Sequence, residues 1–167
     1  GIRDNTLVIV TSDNGASSIG GLDGAANVYE KRVTQMEDAD LPRAMMKDGS
    51  LGGVESYPAY PIGWGNASNT PFRFYKRTPM NGGIRVPFVV SWPEKIKDRG
   101  EIRDQWVHVT DVLPTVLDLL GQEYPLQFNG FKTRGLDGSS FSESLFNSGA
   151  SPTRENQHYE LEGNRGY

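Results

Sequence analysis

Four consecutive apolar residues, Leu7, Val8, Ile9 and Val10, run directly into Thr11-Ser12-Asp13-Asn14-Gly15. A strand with one wet face alternates apolar and polar residues. This run does not, so it predicts a strand over about residues 6–12 covered on both faces, as in a parallel α/β sheet. Ligands of such sheets bind just beyond the carboxyl ends of the strands. Asp-Asn-Gly is by itself ordinary turn chemistry. At this place it has a second reading, because Asp13 and Asn14 offer the hard oxygen atoms that Ca²⁺ or Mg²⁺ prefer. Adjacent residues on a regular strand point to opposite faces. The pair can therefore share one ion only where the chain is already turning, which Gly15 permits.

The 167 residues suffice for one domain with a core, and the net charge of −4 gives no basic footprint for nucleic acid. An anionic ligand must then be met by local cationic groups. Cysteine is absent, which excludes disulfides, zinc–thiolate sites and a thiol nucleophile within these residues. No stretch is long and apolar enough to span a membrane as a helix. Twenty glycines and ten prolines predict a loop-rich chain.

A short helix is expected near Thr34 to Lys47, with Pro42 inside it, then loops from Gly49 to Gly83 and a second buried strand from Val86 to Trp92. "HVTDVLPTVLDLLG" is the clearest helix. Val112, Leu113, Val116, Leu117 and Leu120 share a face, Thr110 can cap, Pro114 lies near the first turn and Gly121 suits the stop. "GSSFSESLF" predicts a shorter helix from Ser139 or Ser140, and "QHYELEGNRGY" a terminal strand. Two central strands are too few for a doubly covered sheet, so the chain is expected to be an excerpt of a larger domain.

The stretch 52–93 carries Tyr-Pro-x-Tyr-Pro-x-Gly-Trp, Thr-Pro-Phe, a lysine, Gly-Gly-x-Arg and Ser-Trp-Pro. It resembles the sulfatase family, and within it the arylsulfatases. "VIVTSDNGAS" resembles the family's metal-binding strand end, "HVTDVLPTVLDLLG" its following helix, and "LDGSSF" and "HYELEGNRGY" the run into its small carboxy-terminal subdomain. The resemblance implies an alkaline-phosphatase-like α/β fold. Its mostly parallel central sheet is flanked by helices and runs into an antiparallel subdomain. Residues 1–150 would be the carboxy-terminal portion of the catalytic domain, and 151–167 the start of the subdomain.

The resemblance also implies roles. Asp13 and Asn14 match metal-binding side chains for Ca²⁺ (or Mg²⁺), and Lys76 matches the catalytic, substrate-binding lysine that contacts the sulfate. A compact ammonium with three donors suits an anionic oxygen, and a cation beside a sulfate offsets charge in the transition state. The implied reaction is hydrolysis of a small-molecule or carbohydrate sulfate ester by a formylglycine that lies outside this chain, so the chain alone is expected to be inactive. Asn81 departs from the Glu or His more usual there, which bears on substrate preference. Arg85 reads as an internal ion-pair partner. His108 and His158 read as packing or capping residues. "ASPTR", residues 150–154, has the Cys/Ser-x-Pro-x-Arg spacing of the nucleophile motif with Ala150 in the nucleophile's place, but it follows the Asp-Asn strand and lacks the motif's continuation, so it reads as a loop. Two rival readings stand beside this one: a phosphate or phosphonate monoester hydrolase of the same superfamily, and a non-catalytic homologue that binds metal or sulfated glycan.

Overall fold

The computed structural model describes residues 1–35 and 40–167. In chain order the elements are β1 (Val8–Thr11), α1 (Leu41–Asp48), α2 (Ile62–Ser68), α3 (Asn81–Ile84), β2 (Phe88–Ser91), α4 (Val112–Leu119), β3 (Gln127–Phe128), β4 (Phe131–Lys132), α5 (Ser142–Phe146), β5 (Tyr159–Leu161) and β6 (Asn164–Gly166). They fall into two compact units, one of residues 1–10 with 89–157, the other of 11–88 with 158–167. Among the described residues no helix is long and apolar enough to cross a membrane.

In the first unit β1 pairs with β2 in a two-stranded sheet. The expectation of a strand buried on both faces is corrected here. Val8 is 47% exposed, Val10 60% and Val89 57%. The apolar run does form a strand, but a sheet of two strands leaves its faces open. The core of this unit lies instead where α4 meets α5, with Thr115, Phe141, Ser144, Leu145 and Ala150 buried. Thr115 Oγ1 donates to the carbonyl of Asp111 and accepts from the N–H of Phe141, so the buried position of α4 is polar and satisfied. Leu113 and Leu120, expected on the packed face, are exposed.

Asp111 organises the start of α4. Its carboxylate is fully buried. It accepts from the N–H of His108 at 2.8 Å and of Ser139 at 3.0 Å, and pairs with Arg154. The cap is His108, not Thr110: its Nδ1 accepts from the Thr110 N–H, and a 3-10 turn over Val109–Asp111 precedes the helix. α5 starts at Ser142, later than predicted, with Ser140 and Ser142 hydroxyls donating to Asp118. β3 and β4 form a hairpin about Asn129-Gly130, both left-handed, the strongest short hairpin signal a sequence offers.

The second unit is built from loops, and its buried positions are small: Ala25, Ala26, Val28 and six glycines, among them Gly15, Gly82 and Gly83. Residues 25–28 pair irregularly with 57–59, as in the Ala25–Ala59 bridge. A π-helical turn spans Glu30–Thr34. Of the helix expected near Thr34 to Lys47, positions 36–39 lie outside the described residues. α1 starts at Leu41 because Pro42 belongs in a first turn, where its missing N–H costs nothing. The expected terminal strand is a hairpin. β5 and β6 pair antiparallel about Glu162-Gly163, which are both left-handed.

Candidate functional site

Beyond β1 the chain turns through Ser12-Asp13-Asn14-Gly15. The Ser12 hydroxyl donates to the Asn14 carbonyl at 2.9 Å, and Asn14 Nδ2 donates to the Gly15 carbonyl at 3.0 Å. That second bond fixes the carboxamide so that Oδ1 faces the other way. The Gly15 N–H donates to the Gly83 carbonyl at 2.9 Å. A Cβ at Gly15 would lie 1.7 Å from the Gly82 carbonyl oxygen, one at Gly82 would lie 2.1 Å from that of Phe74, and one at Gly83 2.4 Å from that of Thr78. Three backbones meet at this junction, and only glycine lets them approach so closely.

The loop carrying Lys76 is tied to the same turn. The Lys76 N–H donates to the Ala16 carbonyl at 2.8 Å. Asn69 accepts from the Ala16 N–H through Oδ1 at 2.9 Å and donates from Nδ2 to the Phe74 carbonyl at 3.0 Å. One side chain thus satisfies backbone groups of both segments. Phe74 and Arg77, on either side of Tyr75-Lys76, have φ of 65° and 74°. For non-glycine residues this conformation costs about 1–3 kcal/mol each and persists only where the surroundings over-determine it. Asn69 is one such determinant. The β5–β6 hairpin is another: Glu162 pairs with Arg77, and Gly166 lies against Pro79.

Two cavities flank the junction. One of about 440 Å³ is lined by Asn14, Gly15, Tyr60, Asn69 and Arg85 among others, and one of about 570 Å³ by Lys31, Arg32, Lys76 and Arg77 among others. Ser17 lines both. Asn14 and Lys76 therefore border adjacent cavities, while Asp13 is exposed at the turn. Among the described residues no three His, Cys, Asp or Glu side chains come together as a metal-binding group. Asp13 and Asn14 offer two oxygen-bearing side chains toward the six to eight oxygens that Ca²⁺ takes.

Other residues singled out in the sequence have structural places. Among the described residues Arg85 makes no ion pair, against expectation: its guanidinium lies 4.8 Å from the centre of the Phe72 ring and it is exposed. His108 is a cap. Arg154 of "ASPTR" is consumed by its ion pair with Asp111, and Ala150 is buried, which agrees with a structural loop. His158, expected to pack or cap, is instead exposed just before β5. Asn69 is the residue sequence reasoning missed. Its only signal was an asparagine ahead of Thr-Pro in a loop.

A family model described as Sulfatase matches residues 1–122. An uncharacterized sulfatase of Schizosaccharomyces pombe is 34% identical over 137 residues, which is 82% of this chain and 22% of that protein. An ulvan-active sulfatase of Formosa agariphila is 42% identical over 55 residues, 33% of this chain and 11% of its own length. A steryl-sulfatase of Mus musculus is 40% identical over 58 residues, 35% of this chain and 9% of its own. The chain thus spans about a fifth or less of the length of these relatives. With a match that takes in the Asp13-Asn14 turn, the Lys76 loop and all of α4, this chain belongs to the sulfatase family, whose domain implies an alkaline-phosphatase-like α/β fold.

Proposed function

We propose that the full-length protein hydrolyses sulfate esters, with Lys76 as a catalytic, substrate-binding group and Asp13 and Asn14 as two ligands of a Ca²⁺ or Mg²⁺ ion. The observation that carries this reading is the direct bond between the two segments, Lys76 N–H to Ala16 carbonyl, three residues past Asp13. Lys76 brings a point charge with three donors to a sulfate oxygen. Asn14 presents Oδ1 because Nδ2 is held by the Gly15 carbonyl. The divalent cation, when bound, polarises the sulfuryl group and offsets charge that builds in the transition state. The nucleophile is a formylglycine outside this chain, and the chain alone turns nothing over. The same reading takes β1 and β2 as members of a larger, mostly parallel sheet. The relatives named for ulvan and for steryl esters indicate that the alcohol side varies within the family.

The test is turnover of 4-nitrophenyl sulfate and 4-nitrophenyl phosphate by the full-length protein. Sulfate turnover that a chelator abolishes and Ca²⁺ or Mg²⁺ restores is the expected result. Preference for the phosphate ester, or turnover indifferent to chelation, overturns it.

A further inference from the structure

The chain carries 17 basic and 21 acidic residues, yet the larger cavity reverses that balance. Lys31, Arg32, Lys76 and Arg77 line it, Ser17 and Ser18 add hydroxyls, and none of its described lining residues is acidic. Lys31 and Arg32 come from the π-helical turn, Lys76 and Arg77 from the left-handed loop, so the basic residues converge from two segments far apart in sequence. Arg77 is balanced by Glu162. Lys31 donates to the Gly24 carbonyl, which orients it without neutralising it. Among the described residues three positive charges, those of Lys31, Arg32 and Lys76, therefore remain for what enters the cavity, while a sulfate monoester brings one negative charge. Cations gathered in one cleft repel one another and raise the local concentration of anions.

Resting on the sulfatase reading, we infer that Lys31 and Arg32 form a second anion subsite beside Lys76, so that the preferred substrate is a sulfate ester bearing a further anionic group, a second sulfate or a carboxylate. Lys76 holds the sulfate to be cleaved, and the arginine fork of Arg32 holds the second anion, with Lys31 beside it. A planar guanidinium matches both sulfate and carboxylate through paired N–H donors.

The experiment measures binding, so that it does not depend on turnover. The full-length protein is titrated calorimetrically with naphthalene-1-sulfonate, naphthalene-1,5-disulfonate and 5-sulfo-1-naphthoate, none of which it can hydrolyse. Both dianions are expected to bind about tenfold more tightly than the monoanion, the scale of one charge-assisted hydrogen-bonded contact. That advantage should shrink as salt rises. A gain for the disulfonate alone assigns the second group as sulfate, and one for the carboxylate alone as carboxylate. Arg32→Gln should remove most of the gain and leave the monosulfonate unchanged, and Arg32→Lys should keep part of it. Equal affinity for monoanion and dianions, or an Arg32→Gln variant that weakens all three alike, overturns the subsite. Arg32-dependent dianion binding by a protein that cleaves no sulfate ester would sink the proposed function and leave the subsite standing. Turnover of 4-nitrophenyl sulfate without any preference for dianions would do the reverse.

Discussion

Asn69 accepts a hydrogen bond from the main-chain N–H of Ala16, 53 residues away in sequence, at 2.9 Å. With its other end on the Phe74 carbonyl it sets the spacing between the Asp13-Asn14 turn and Lys76. Asn69→Ala removes both bonds, each worth about 0.5–1.5 kcal/mol. In the full-length enzyme kcat should fall about tenfold, because a small misplacement of a charge-bearing group is costly in the transition state. Asn69→Asp keeps the acceptor for Ala16 but sets a carboxylate oxygen against the Phe74 carbonyl, so it should not restore kcat. Both variants are assayed well below their melting temperatures, with the folded fraction checked by circular dichroism. Unchanged kcat in a folded Asn69→Ala protein would remove the positioning role.

Lys76 itself should behave as a preorganised charge. Lys76→Ala is expected to lower kcat/KM for the sulfate ester by roughly 10²-fold or more. Lys76→Arg should recover only part of that, since a planar fork replaces a compact ammonium. Steady-state kinetics on the purified full-length variants decide it, and an alanine variant with wild-type kcat/KM would take Lys76 out of the mechanism.

The Gly15 junction makes a prediction about stability. A Cβ there meets the backbone oxygen of Gly82 at 1.7 Å, and a backbone atom cannot swing aside as a flexible side chain can. Gly15→Ala should destabilise by at least the ~1–3 kcal/mol typical of overpacking. Gly63, within α2, has open space where its Cβ would be. Gly63→Ala should gain up to about 1 kcal/mol from helix propensity. Urea unfolding of the two variants side by side gives the comparison, and similar midpoints would contradict the packing argument.

What could be read in the sequence was what neighbouring residues decide. Val8 to Val10 of the apolar run form a strand, the turn at Gly15 follows it, and α4 lies under its periodicity. The Asn129-Gly130 hairpin was equally local and its signal was there to be used. The exposure of Val8 and Val10 was legible only indirectly, from there being too few other strands in the sequence to cover an apolar run, because burial depends on which other strands are present. Contacts across long separations were hidden for a similar reason. Asp111 and Arg154 are 43 residues apart, and nothing near either one names the other. Arg85 was expected to seek a carboxylate and instead lies over Phe72, since a guanidinium is served by an aromatic face as well. Asp13, Asn14 and Lys76 were nominated through motif order, whereas Asn69, which ties their segments together, acts through main-chain bonds that leave little trace in residue type.

The capping network at α4 should make the protein acid-sensitive through one histidine. Burial, and then the positive charge of Arg154, hold His108 below its ordinary value of 6.5, while Asp111 partly offsets them. Its Nδ1 accepts from the Thr110 N–H, which a protonated ring cannot do. The folded state therefore binds this proton less readily than the unfolded chain. Stability rises with pH wherever the unfolded state holds more protons. The contribution is thus fully present above about 6.5 and is lost as pH falls through the lower folded value. His108→Asn keeps a capping acceptor and does not titrate, so its unfolding free energy should fall less between pH 7.5 and 5 than that of the parent. Arg154→Met removes the neighbouring positive charge and should move the His108 titration upward, at the cost of leaving the buried Asp111 carboxylate unpaired, about 3–5 kcal/mol. Two-dimensional NMR of the imidazole signals through a pH series reads the first effect and urea unfolding the second. A His108 midpoint at or above 6.5, or parallel pH slopes for the parent and His108→Asn, would show that the cap does not titrate in this way.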